Sequence, residues 1–218
     1  MNISILCSNK EHPVFPTLEQ WQQAWQHLHE IELVQTRQDL SGGDILFLIS
    51  CSELIKQDVR NRYRATLVIH ASDLPQGRGW SPHIWQILEG RKSITVSLLE
   101  AEDKVDSGAI WAQRELLLEG HELYNEINEK LFSIEKELMD FALLNLQTIV
   151  PTPQRVEDPS YYRKRTPIDS QIDPHRSIAE QFDLLRVADT VRFPAFFEYR
   201  GHYYRIIIEK ISNVGELE

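Results

Sequence analysis

Gly43-Asp44-Ile45-Leu46-Phe47-Leu48-Ile49-Ser50 is the stretch that decides the fold. The run from Ile45 to Ile49 is apolar without a break. Neighbouring side chains on a strand point to opposite sides, so such a strand must be covered on both faces, as in a parallel sheet flanked by helices. Ser41-Gly42-Gly43 punctuates the chain just ahead of it. Upstream, residues 2–7 read as a short apolar strand, and residues 18–29 carry Trp21, Trp25 and Leu28 at helical spacing, giving a first βα unit. Downstream, Ser52 is placed to cap a helix running through Asp58 and Arg60, with Glu53 in its acidic first turn. Residues 65–69 form the next strand, and a helix over 82–88 leads to a further strand over 94–99. Repetition of strand and helix predicts an α/β fold with a doubly wound, mostly parallel, Rossmann-like sheet.

Residues 121–147 place Leu123, Ile127, Leu131, Ile134, Leu138, Phe141 and Leu144 at three- and four-residue intervals, which predicts one long helix against the sheet. Pro151 and Pro153 stop it. Residues 154–173 are polar and aromatic with little periodicity, as expected of an ordered arm laid over the first section rather than a second core. Residues 177–187 read as a helix with Ser177 as cap and Glu180 near the capping-box position. Residues 195–199 and 203–208 flank Arg200-Gly201 and read as a hairpin. The chain therefore divides into a main section, 1–150, and an arm, helix and hairpin, 151–218.

The chain has 218 residues and a formal charge of −10, and that balance disfavours nucleic acid, whose phosphates attract clustered Lys and Arg. No apolar run approaches the roughly 20 residues of a membrane-spanning helix, and the amino terminus lacks a secretory pattern. Cys7 and Cys51 end apolar runs and suggest buried thiols rather than a disulfide framework. A cytoplasmic location is expected. The histidines show no metal-ligand spacing, so no metal site is expected.

The residues that invite chemistry follow the third strand. Leu67-Val68-Ile69-His70-Ala71-Ser72-Asp73-Leu74-Pro75 places His70 at a strand end, and Val105-Asp106-Ser107-Gly108 supplies an acidic turn downstream. A histidine at the carboxyl edge of an open sheet, with an aspartate from a neighbouring loop, is suited to proton transfer. Taken alone, a strand-end histidine is more often a structural residue. The spacing of Gly77 and Gly79 fits no nucleotide fingerprint.

From His70 to Pro82 the chain reads H-x-S-x-L-P-x-x-R-G-x-x-P, and D-x-G follows at Asp106 and Gly108. These motifs resemble the formyltransferases that use 10-formyltetrahydrofolate. Lys164-Arg165-Thr166-Pro167-Ile168-Asp169-Ser170 and Arg192-Phe193-Pro194-Ala195-Phe196-Phe197 are similar to segments of the short bacterial nucleotide-sugar N-formyltransferases within that family. The resemblance implies catalysis by His70 and Asp106. Val68 stands where the family carries an asparagine, so Ser72, protonated His70 or a backbone N–H after Ala71 is left to hold the oxyanion.

The fold and the resemblance together place the folate at Cys51, Ser52, Leu54, Ile55, Val105 and Asp106. The nucleotide sugar, on UDP or dTDP, is expected against Arg78, Trp80, Tyr161, Tyr162, Arg163, Lys164 and Arg165, with His12, Pro13 and Trp85 near the mouth. The expected activity is N-formylation of a deoxyamino sugar for polysaccharide or glycan synthesis. Alternatives are a formyl-folate hydrolase, another folate-dependent formyltransferase, or a non-catalytic family member. The apolar hairpin also suggests a homodimer edge.

Overall fold

The computed structural model describes residues 1–212; residues 213–218, the end of the expected C-terminal section, lie outside the described residues. The first part runs β1 (Asn2–Leu6), α1 (Phe15–Trp25), β2 (Glu30–Val34), β3 (Gly43–Leu48), α2 (Gln57–Arg60), β4 (Tyr63–His70) and β5 (Arg78–Gly79). There follow α3 (Pro82–Leu88), β6 (Ser93–Glu100), β7 (Ile110–Leu117), α4 (Tyr124–Asn145), β8 (Tyr161–Tyr162), α5 (Phe182–Arg186), β9 (Ala195–Tyr199) and β10 (His202–Ile206).

The central sheet has six strands in the order β2-β1-β3-β4-β6-β7. The alternation of β3 explains its place at the centre. Ile45, Phe47 and Ile49 join the core built with α1 and α4, while Leu46 and Leu48 face a smaller core containing Leu6, Ile55 and Tyr63. Phe47 is fully buried, a transfer worth about 1.5–3 kcal/mol relative to exposure.

The fold class is the one expected, with a mixed edge. β1 lies parallel to β2 and β3, and β3 to β4, whereas β6 runs antiparallel to both β4 and β7. The reason is length. A helix of 7 residues, α3, rises only about 10 Å, whereas the eight-residue β4 extends about 26 Å. The connection therefore stays at the carboxyl edge, and Ser93 enters the sheet beyond His70. The reading also passed over β2 and β7. The exposed Gln113, Arg114 and Glu115 give β7 the pattern of a solvated edge.

The helix expected from Ser52 shrinks to the single turn of α2. Ahead of it, the Ser52 N–H donates to Ser8 Oγ at 2.9 Å and the Ile55 carbonyl accepts from Arg60 at 2.7 Å, so tertiary bonds replace helical ones. The segment becomes cavity wall. The long helix and the hairpin occur as expected, and Ser177 and Glu180 exchange their capping hydrogen bonds. The arm clasps the first section through β5 and β8, and under it lies a small core of Leu185, Ala188 and Ala195 that the reading did not foresee.

Candidate active site

β4 ends at His70 because the chain turns at once, the Ser72 N–H donating back to the His70 carbonyl at 2.9 Å. The imidazole is buried, only 7% exposed. Its Nε2 lies 2.9 Å from the Gly77 carbonyl and 3.6 Å from Asp106 Oδ2. A carbonyl can only accept, so Nε2 carries the proton, and Nδ1, which has no hydrogen bond among the described residues, keeps the lone pair. The carboxylate receives the Gly79 N–H at 2.9 Å. One acidic group thus fixes both the ring and the turn beside it.

The glycines of the two motifs are there for close approach. A Cβ at Gly79, where φ is +100°, would stand 2.4 Å from the Tyr162 carbonyl oxygen, and one at Gly108 would stand 2.0 Å from that of Glu100. Asp106 itself sits at φ +53°, a left-handed conformation that aspartate tolerates. The loop is clamped from the arm: Gln154 Nε2 donates to the carbonyls of Asp106 at 2.8 Å and Gly108 at 2.9 Å. Gln154 Oε1 accepts from Arg78 at 2.6 Å.

A cavity of about 660 Å³ opens on the pair. Of the expected residues, Cys51, Ser52, Leu54, Ile55, Val105, Trp80, Lys164 and Arg165 line it together with His70 and Asp106. Arg165 is buried and donates to Ser170 Oγ at 3.1 Å, and Lys164 Nζ lies 4.7 Å over the Trp80 ring. His12 is also on the wall, whereas Pro13 lines a neighbouring surface groove.

Other expected residues fall elsewhere. The Ser72 Oγ is sealed without a partner and does not line the cavity. Arg78 is buried behind the wall, tied to Gln154 and the Tyr161 hydroxyl. Tyr162, Trp85 and Arg163 make an outer stack: the two rings lie 6.2 Å apart, and the guanidinium lies 4.8 Å over Trp85. Arg163 is paired with Asp169, whose carboxyl it holds well below the usual range.

Four features of the site were not foreseen. Gln154 is the clamp just described. His83 lines the cavity, and burial, then the neighbouring His12, His70 and Arg165, push its imidazole down to about 4. Glu135 projects from α4 with a sealed, unpartnered oxygen, and burial raises its carboxyl to about 8. Tyr124, Asp189 and Arg192 form a hydrogen-bonded trio on the wall. Only the helical register of Glu135, facing the same side as Leu131 and Leu138, offered a signal in sequence.

Among the described residues no helix is long and apolar enough to cross a membrane, and no group of three or more metal-ligating side chains converges.

The protein is thus a Rossmann-like α/β chain with a histidine and an aspartate side chain buried together at the carboxyl edge of its sheet. The chain belongs to the formyl transferase family, whose model matches residues 5–143. Among solved structures, methionyl-tRNA formyltransferase from Clostridium thermocellum superposes with a TM-score of 0.81 at 21% identity, covering 98% of this chain and 95% of that one. A sugar N-formyltransferase from a Shewanella species gives 0.69 at 15% identity, covering 97% and 99%. HypX from Aquifex aeolicus in complex with tetrahydrofolic acid gives 0.73 at 19% identity, covering 94% of this chain and 37% of that one.

Proposed function

We propose that the chain transfers the formyl group of 10-formyltetrahydrofolate to the amino group of a UDP- or dTDP-linked deoxyamino sugar. The observation that carries this reading is the His70–Asp106 pair opening onto a cavity that also includes the Trp80–Lys164 wall. The residues present suit the donor: Ile49, Leu54, Ile55, Val68 and Val105 offer apolar surface to a flat ring, and the surrounding loops offer backbone groups to its polar rim. An acidic chain whose cations cluster beside aromatic rings suits a diphosphate and a base better than a long polyanion.

His70 Nδ1 takes the proton of the attacking amine and returns it to the departing nitrogen. Asp106 orients the ring. In this reading residues 151–212 complete the acceptor side, the reaction takes place in the cytoplasm, and the product feeds glycan or polysaccharide synthesis. The outer edge of β10 has no partner strand among the described residues and serves a homodimer; a monomeric mass in solution would remove that part.

The test is a panel of UDP- and dTDP-amino sugars incubated with 10-formyltetrahydrofolate, followed by mass spectrometry for a gain of one formyl group. Formate without formylated sugar would point to a hydrolase. Val68, which brings no donor to the cavity, favours a second reading as a binding-only member, and absence of any turnover would support it.

A further inference from the structure

The pair accounts for proton movement and leaves one charge without a partner. When the amine adds to the formyl carbon, the carbonyl oxygen becomes an oxyanion and needs a preorganised donor. Val68 lines the cavity and has none to give. The Ser72 hydroxyl is sealed away from the cavity, and its N–H is spent on the His70 carbonyl. His70 Nε2 is engaged by Gly77 and Asp106. Arg165 points Nη2 at Ser170 and at the Asp169 carbonyl, and its Nε is sealed.

His83 remains. It stands in the first turn of α3, directly after Pro82, on a helix anchored by the buried Ile84 and Ile87. Its ring makes no hydrogen bond among the described residues, neither nitrogen belongs to the sealed atoms, and it lines the same cavity as His70. We propose that His83 donates a ring N–H to the formyl oxygen as charge develops there, filling the role that Val68 cannot. This rests on the formyl-folate reading of the cavity.

The two imidazoles divide the work. Burial and the neighbouring His12, His70 and Arg165 keep His83 neutral through the physiological range. A neutral ring retains one N–H and gives it up reluctantly. The C–N bond to the acceptor forms, the bond from the formyl carbon to the folate nitrogen breaks, and the single proton in transit passes through His70. The His83 proton stays in place throughout.

The probe is 10-formyl-5,8-dideazafolate carrying a ¹³C-formyl group, a donor analogue whose carbonyl stretch is read by isotope-edited infrared difference spectroscopy. Bound to the wild-type protein, the band should sit below its position in H83F, and the H83F/V68N double variant should recover the lower frequency. Equal frequencies in wild type and H83F overturn the proposal, as does a shift abolished by R165M and retained in H83F. A readout on the unaltered protein protects against a variant that misfolds: in ¹⁵N-histidine spectra the His83 N–H resonance should move downfield on adding the analogue, and a stationary resonance rejects the assignment. Failure of the wild-type protein to bind the analogue would instead sink the donor reading beneath it. With a turned-over acceptor, H83F should lower kcat by about 10²-fold and leave the KM for the donor within a few-fold.

Discussion

The buried hinge of the site and its cationic rim are held in opposite ways. At the hinge, His70, Asp106, Gly79, Gln154 and Arg78 are joined by short hydrogen bonds, with the His70, Asp106 and Arg78 side chains nearly closed to solvent. At the rim, Trp80, Arg163 and Lys164 lie exposed and are ordered by ring and charge contacts that water weakens. Chemistry needs fixed distances, so a small displacement at the hinge is costly. Recognition of a flexible ligand tolerates adjustment at the rim. The same protein should therefore respond steeply to substitution in one region and gradually in the other.

The largest effect should come from His70→Asn, which keeps the polar volume and removes the shuttle. Turnover of 10-formyltetrahydrofolate should drop by about 10²–10⁴-fold while the melting temperature stays near that of wild type; near-normal turnover would take His70 out of the mechanism. Asp106→Asn comes next. Asparagine also accepts the left-handed backbone, so the loop should persist while the charge behind His70 is lost, with a drop of about 10²-fold in kcat and little change in either KM. A loss confined to KM would contradict the positioning role.

Arg78→Ala cuts the link to Gln154 and leaves a half-buried amide oxygen without its protein partner, at a cost of about 1 kcal/mol. A lower urea midpoint together with reduced turnover would show that the clamp serves the catalytic loop; unchanged stability would argue against it.

Glu135 gives a pH signature. Its carboxyl is raised in the folded chain, so the stabilising protonated form is fully present below the ordinary carboxyl range and is lost as pH rises through about 8. Glu135→Gln should therefore gain on wild type by several degrees in melting temperature between pH 5 and pH 9, and parallel melting curves would rule this out. The smallest effect belongs to Lys164→Ala at the rim, a rise of about 2–5-fold in the KM for the nucleotide sugar with folate binding unchanged. Equal effects on both ligands would assign Lys164 to folding.

Some of this was legible in the chain. The unbroken run of β3 required cover on both faces, and Ile127, Leu131, Ile134, Leu138 and Phe141 of α4 marked the helical face that packs on the core, while Leu144 lies exposed. His70 and Asp106 stood out because each lies in a motif whose spacing is local. The segment after Ser52 departs from the expected helix because the Ser52 N–H goes to Ser8, a partner that no window of sequence brings near. Gln154 escaped notice for the same reason, its partners Asp106 and Gly108 lying far away in the chain.

The sequence by itself determined the layers of the fold and singled out His70 and Asp106 as the pair proposed to serve proton transfer, since hydrophobic period and short motifs are properties of neighbouring residues. Tertiary structure alone decided that β6 turns back, that Arg78 lies behind the wall, and that an unpaired histidine faces the cavity where Val68 has nothing to offer. Those outcomes depend on which distant groups reach one another once the sheet has closed, and burial then sets what each of them can do.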